Sequence, residues 1–411
     1  MFTANDKIVL KKLAGRVHEI ASMPEQQVKR DLWRRHTALK YGIPPIFVSP
    51  EGSWEELIPD DTLQCEDAFA RQVELELRKR IYRFERIPDD TPIEDHYDIP
   101  VSGIYCDLPW GIPIKHIPSS QRGAWHHVPV IEEPEDWKKL KKPVLNVDVE
   151  RAEKWAEELR EAVGDDLKVH VTGIKIYDFH IAHIYCDYRG LDNLFMDLID
   201  DPEMVKDVFA FLTEGTMDLV KEAQKLNLIR SNNDYTYHYT GGLGYCDDLP
   251  AYTDQPVQLG DIWGAAEAQE YSCVSPDMFC ETILPFEKQL LEPFGLNGYG
   301  CCDDLTEKLP EVLKIKNLRR VAACPWANLG KMAQRLQKDY ILTWKPNPAH
   351  LAGEVFDEAA VEAYMTQSLR DAKCGYPEII LRDTHTCRND PGRFTRFVSL
   401  TRRAIEKVYG E

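Results

Sequence analysis

From residue 149 to the C-terminus, short apolar runs alternate with longer amphipathic stretches, and this rhythm restricts the fold more than any other feature. VERAEKWAEELREAV reads as a helix, LKVHVTG as a strand, PEMVKDVFAFLTEGTMDLVKEAQKL as a helix and IRSNNDYTYH as a strand. The helix SPDMFCETILPFEKQLLEPFG then leads to the strand LNGYGC, and DDLTEKLPEVLKI to LRRVAAC. NLGKMAQRLQ, YILTWK, DEAAVEAYMTQSLRDA, EIILRD and PGRFTRFVSLTRRAIEKV continue the alternation to the end. Strands separated by helices imply right-handed crossovers and a parallel sheet.

Adding the apolar run PPIFVSP gives about seven strands, so the sequence predicts a (β/α)8 TIM barrel of about 300 residues. Residues 1–43 read as an N-terminal helical extension and 44–411 as the barrel. Within it, 95–135 is rich in Pro, Gly, Trp and His and weakly periodic, which suits a lid or insertion. A doubly wound open sheet is the alternative, but no G-x-G-x-x-G follows a strand and there is no P-loop.

With 411 residues and 29% charged side chains, the chain can bury a large core. Its net charge of -19 repels nucleic acid and anionic membrane surfaces. MFTANDKIVLKKLAGRVHEI reads as a helix rather than a signal peptide, and no run is long and apolar enough to span a bilayer, so the expected location is cytoplasmic. Eleven scattered cysteines do not make a disulfide framework; Cys65, Cys273, Cys280 and Cys374 read as packed thiols.

In a barrel, chemistry sits at the C-terminal ends of the strands. The last four tips are Tyr299-Gly300-Cys301-Cys302-Asp303, Cys324-Pro325-Trp326, Trp344-Lys345-Pro346-Asn347 and Asp383-Thr384-His385-Thr386-Cys387. Zinc is well served by soft thiolates with one or two N or O ligands. Cys301 and Cys387 meet that need, with Glu267, Glu270, His385 or Tyr299 as the third ligand. His126-His127 suggests a metal pair, yet neighbours on a strand point to opposite faces.

The residues after NGYG, and the terminal Cys387 followed by NDPGRFTRFVSLTRRAIEKV, resemble the uroporphyrinogen decarboxylase superfamily. They are closest in type to its cobalamin-dependent, zinc-containing methyltransferases, over roughly residues 201–411. The resemblance implies a zinc site of the form His-x-Cys plus a later Cys, which maps onto Cys301 and Cys387. Tyr299 stands where that pattern has His, so Glu270 or His385 replaces it, or Cys302 joins. It also implies methyl transfer between a small methylated substrate or thiol and a corrinoid (cobalamin) on a partner protein, since no D-x-H-x-x-G motif is present. The decarboxylases' arginine-rich M-R-Q-A-G-R-Y segment is replaced here by PPIFVSPEGSWEELIP.

Three further roles are assigned. His238, Lys345 and Tyr299 are catalytic candidates, His238 as a proton donor and Lys345 as a partner for a substrate carboxylate. Trp326, Trp344 and Asn347 are substrate-binding candidates, the tryptophans as walls for an aromatic or corrin surface. Each also has a packing reading: a structural histidine, a surface ion pair, aromatic core. A metal-free decarboxylase, with Arg and Asp clustered in the mouth, is the alternative activity, and a non-catalytic binding protein on the same fold is the third class.

Overall fold

The computed structural model describes residues 1–40, 42–104, 110–118 and 125–410. Among the described residues eleven strands are formed: β1 (Ile46–Val48), β2 (His96–Pro100), β3 (Lys115–Pro118), β4 (Trp125–Val128), β5 (Lys168–Thr172), β6 (Asp178–Phe179), β7 (Trp263–Ala266), β8 (Leu296–Tyr299), β9 (Leu318–Ala323), β10 (Ile341–Trp344) and β11 (Pro377–Leu381). Seven of them make one all-parallel sheet in the order β1-β11-β10-β9-β8-β7-β6. The first strand therefore pairs beside the last, with Ile46 opposite Ile379. That is a barrel-like arrangement, but the ladders do not close into a complete barrel among the described residues. β2 and β5 pair separately in parallel, and β3 and β4 form an antiparallel hairpin.

Helices cover the sheet because their apolar residues recur at helical spacing. In Gly392–Tyr409, Phe394, Phe397, Val398, Thr401, Ala404, Ile405 and Val408 make one buried stripe, packed on Glu358–Asp371. Each large apolar side chain there contributes about 1.5–3 kcal/mol by leaving water. The helix runs from just after Pro391 to Gly410, which ends it.

Several elements differ from the sequence expectation. IRSNNDYTYH is not a strand; it makes only isolated bridges, Ile229 to Ile174, Arg230 to Pro256 and Tyr237 to Leu243. SPDMFCETILPFEKQLLEPFG is two helices, Pro276–Thr282 and Leu284–Leu291, broken before Pro285, which lacks the N–H to continue a helix. The span 95–135 carries β2 and the β3–β4 hairpin; the side chains of His126 and His127 lie outside the described residues.

The N-terminal helices Ala4–Ala21 and Pro24–Thr37 pack into the fold. Val9, Leu10, Ala14, Val17 and Ile20 join the main core. The second helix lies across the N-terminal ends of the strands: Trp33 Nε1 donates to the Asp90 carbonyl (2.8 Å), and Arg320 donates to Thr37 Oγ1 (3.2 Å). No described helix is long and apolar enough to cross a membrane.

Candidate functional site

β8 ends at Tyr299, and Gly300 turns the chain with φ +87, a left-handed conformation that suits glycine. A Cβ there would lie 2.5 Å from Leu305 Cδ1, so the turn excludes side chains. The turn buries Cys301 completely, and its N–H donates to Asp303 Oδ1 (3.1 Å).

Two more strand ends deliver cations to that sulfur. Lys345 follows β10, extends its ladder by donating N–H to the Ala323 carbonyl (2.9 Å), and is buried. Its Nζ lies 3.1 Å from Cys301 Sγ and 3.3 Å from the Tyr239 carbonyl. Arg382 follows β11: Nη1 is 4.0 Å from the same sulfur and 3.3 Å from the Tyr239 carbonyl, and the guanidinium stacks 4.6 Å over the Tyr239 ring. Arg382 Nε faces Glu51 (3.4 Å) and Asp383 (3.6 Å).

Lys345 has no carboxylate within 4.0 Å among the described residues. A buried ammonium without a counter-anion carries a penalty of several kcal/mol, so the anion is the sulfur. The neighbouring Cys302 Sγ, 3.4 Å away, shares a hydrogen bond with Cys301 Sγ, and Lys345 reinforces it; together they outweigh burial and lower the Cys301 pKa to about 7. Cys302 shifts the opposite way, upward, through the same bond and burial. Burial pulls the Lys345 ammonium down, but the Cys301 sulfur carries it above its ordinary value.

A second pair faces this thiolate from the ends of β6 and β7. His180 Nδ1 and Glu267 Oε1 are 2.7 Å apart, both largely buried. Burial disfavours the imidazolium, but Glu267, Asp178 and Cys301 hold it above the ordinary histidine value. The His180 ring meets Tyr239 edge-on at 4.4 Å. Asp178 accepts the Tyr239 N–H (3.2 Å), and burial raises its carboxyl to about 6. Next along, His183 sits 3.2 Å from Glu270, which lifts it to about 9.

A cavity of about 580 Å³, lined by Phe47, Ile174, Lys175, Tyr235 and Tyr237 among others, shares no lining residue with this cluster. Tyr237 on its wall feels the charges of Arg382, Lys345 and Cys301, and its buried hydroxyl has no hydrogen-bond partner among the described residues.

The expected site residues are thus divided. Cys301, Cys302 and Lys345 come together. Glu270 is engaged with His183. Cys387 is elsewhere: its thiol donates to Glu56 Oε2 (3.1 Å) within a second core containing Phe394 and Leu381, and burial together with Glu56 pushes it up to about 12. His385 is exposed. Tyr299 turns to the helical layer, where its hydroxyl donates to Glu287 beside the Phe279 ring. His238 lies among residues near the strand starts, 5.6 Å from the Trp263 ring, and burial with Arg320 lowers it to about 3, which makes it the neutral imidazole at neutral pH. Trp344 is buried against Tyr364 (5.8 Å), and Asn347 Oδ1 accepts the Ala349 N–H (2.9 Å). Trp326 stands 73% exposed after β9.

These placements do not fit the expected zinc ion. Two cations lie within 4.0 Å of Cys301 Sγ, where a dication would be repelled, and the other expected thiolate is a protonated hydrogen-bond donor. Among the described residues no group of three or more His, Cys, Asp or Glu is placed to hold a metal.

His180, Glu267 as its partner, Asp178, Arg382 and Tyr239 escaped the sequence reading as site residues. Asp178 lies in, and His180 just after, a two-residue strand without a recognisable apolar run, whereas Arg382 stood in plain view at the tip of EIILRD.

No protein-family model matches the chain, and no curated protein does. Among solved structures it is similar to a methyltransferase from Methanosarcina mazei, at 12% identity and TM-score 0.47, over 88% of this chain and 94% of that one.

Proposed function

We propose that this chain is a methyltransferase-type enzyme in which the Cys301 thiolate accepts the methyl group. The observation that carries this reading is the buried Cys301–Lys345 contact at 3.1 Å, which favours the charged form of the nucleophile. Methyl, rather than another group, is favoured by the resemblance of the last half of the chain to corrinoid-linked methyltransferases.

Cys301 Sγ attacks the methyl carbon of a donor in the mouth; the new S–C bond forms as the bond to the leaving heteroatom breaks. His180, held protonated by Glu267, gives its proton to that heteroatom. In the second half-reaction the S–C bond breaks toward an acceptor, and Lys345 stabilises the thiolate as it re-forms. Removing methyl from a thioether needs a strong nucleophile, and a reduced corrinoid on a partner protein meets that description. Exposed Trp326 at the rim suits the docking of such a partner.

The test is incubation of the full chain with isotopically labelled methylcobalamin, an aryl methyl ether and a quaternary amine in turn, followed by peptide mass mapping. A labelled methyl on Cys301, absent from Cys301→Ser, supports the reading. If no donor labels Cys301 or turns over, the reading fails.

One observation favours a second reading. Arg382 and Lys345 both approach the Tyr239 carbonyl, and Asp178, which accepts the Tyr239 N–H, has its carboxyl raised to about 6, as expected for a metal-free decarboxylase that clamps a carboxylate and returns a proton. Release of carbon dioxide from a small-acid panel, lost in Asp178→Asn, would select it.

A further inference from the structure

The methyl-transfer reading uses one sulfur, yet there are two. Cys301 Sγ and Cys302 Sγ are 3.4 Å apart, and both are free thiols. They are unequal. Cys301 is sealed beneath the surface against Lys345 and Arg382, whereas Cys302 is partly exposed and reaches toward Asp383 Oδ2 at 3.9 Å. One sulfur therefore lies among cations and the other lies between it and solvent. That is the division of labour between a sulfur that is oxidised and one that resolves it.

We propose that Cys301 and Cys302 form a two-electron redox pair that reduces a hydroperoxide and closes as a disulfide between adjacent residues. The Cys301 thiolate attacks one peroxide oxygen, the O–O bond breaks, and the departing oxygen takes a proton from the Lys345 ammonium. This leaves a sulfenic acid on Cys301. The Cys302 sulfur, losing its own proton, attacks Cys301 Sγ; the S–O bond breaks, and the hydroxide leaves as water with that proton. Overall, two thiols and one hydroperoxide give one disulfide, one water and one alcohol (a second water when the oxidant is hydrogen peroxide), the sulfurs losing the two electrons that the peroxide gains.

A disulfide between neighbours closes an eight-atom ring, which is strained, and strain makes it easily reduced. The pair thus suits reversible silencing of the Cys301 nucleophile rather than a permanent cross-link. This inference does not depend on which group Cys301 transfers.

The test is peptide mass mapping of the full chain after stoichiometric hydrogen peroxide, with exposed Cys273 and Cys374 as internal controls. The peptide holding Cys301 and Cys302 should lose the mass of two hydrogens about 10-fold faster than the controls oxidise, and dithiothreitol should restore it. In Cys302→Ser, dimedone should trap a sulfenic acid on Cys301. The proposal is overturned if the controls oxidise while this peptide keeps both thiols, or if Cys301 goes straight to sulfinic acid in the wild type. The wild-type map decides between these outcomes even if the variant does not fold.

Discussion

Two clusters of buried charge occupy opposite ends of the same parallel sheet, and they are balanced differently. At the N-terminal ends of the strands, Arg320 and Glu378 are both fully buried with Nε and Oε1 3.3 Å apart; Thr343 donates to the same carboxylate (2.7 Å), and the His36 ring lies 3.4 Å from its other oxygen. At the C-terminal ends, Lys345 is equally buried, but its anion is a sulfur. A carboxylate is a permanent counter-ion at neutral pH and a poor nucleophile; a thiolate titrates near neutrality and reacts. The first arrangement holds the fold under its helical cover. The second leaves a reactive sulfur among cations at the strand ends.

If this contrast is right, Cys301→Ser should have the largest effect of any single change. Activity should fall about 1000-fold or more, as expected when a covalent nucleophile is lost, with KM for the donor changing much less. Comparable turnover in the variant would remove the thiolate from the mechanism and collapse the contrast.

The next effect belongs to the other end. Glu378→Gln leaves Arg320 buried beside a neutral amide, and breaking such a pair destabilises a protein by about 3–5 kcal/mol. Denaturant titration should show that loss, while alkylation of Cys301 by iodoacetamide in the folded variant should proceed at the wild-type rate. A change in Cys301 reactivity would mean that the two ends are coupled.

Lys345→Met addresses the sulfur's counter-ion directly. The pH midpoint for alkylation of Cys301 should rise from about 7 toward the ordinary thiol value near about 8.5, slowing the reaction about 10-fold at neutral pH. Arg382→Gln should do less, because its guanidinium is 4.0 Å from the sulfur instead of 3.1 Å. Since the folded thiol is an acid with a depressed pKa, its ion pair stabilises the fold fully above the unfolded thiol value and loses that contribution as pH falls through about 7. Unchanged midpoints in both variants would leave only Cys302 as the cause of the low value.

How much of this was legible follows from which physics is local. β8 to β11 and the terminal helix could be read because apolar runs and helical spacing are properties of contiguous residues. β7, WGAA, could not: Gly264 is small because a Cβ there would meet Phe294 at 2.7 Å, a fact of tertiary packing. At the site, the rule that chemistry sits at strand ends selected Cys301 and Lys345, and it also admitted Cys387 and Trp344, which stand at strand ends but face a different core. The rule gives a position along the chain and not a direction. The same blindness placed His238 in the mouth, because the segment 229–238 reads as a strand when it is irregular backbone held by isolated bridges.

Cys387 also supplies the smallest effect. Its thiol, its N–H and the N–H of Asn389 converge on Glu56 Oε2, and Thr386 donates to the other oxygen. Burial pushes this carboxyl up, but the four donors hold it at about 2. Glu56 thus pins the loop that follows Arg382, where Arg388 and Asn389 adopt left-handed backbone conformations. The folded carboxyl is depressed below its unfolded value, so its contribution is complete above about pH 4.3 and disappears as pH falls toward 2. Partial exposure screens it, leaving an effect on the order of 1 kcal/mol. Glu56→Gln should therefore lower stability at pH 7 by about that amount, and the wild-type advantage should vanish at low pH. If the variant also slows Cys301 alkylation, the loop is what aims Arg382 at the sulfur; if stability falls and alkylation is unchanged, Lys345 and Cys302 suffice to hold the thiolate.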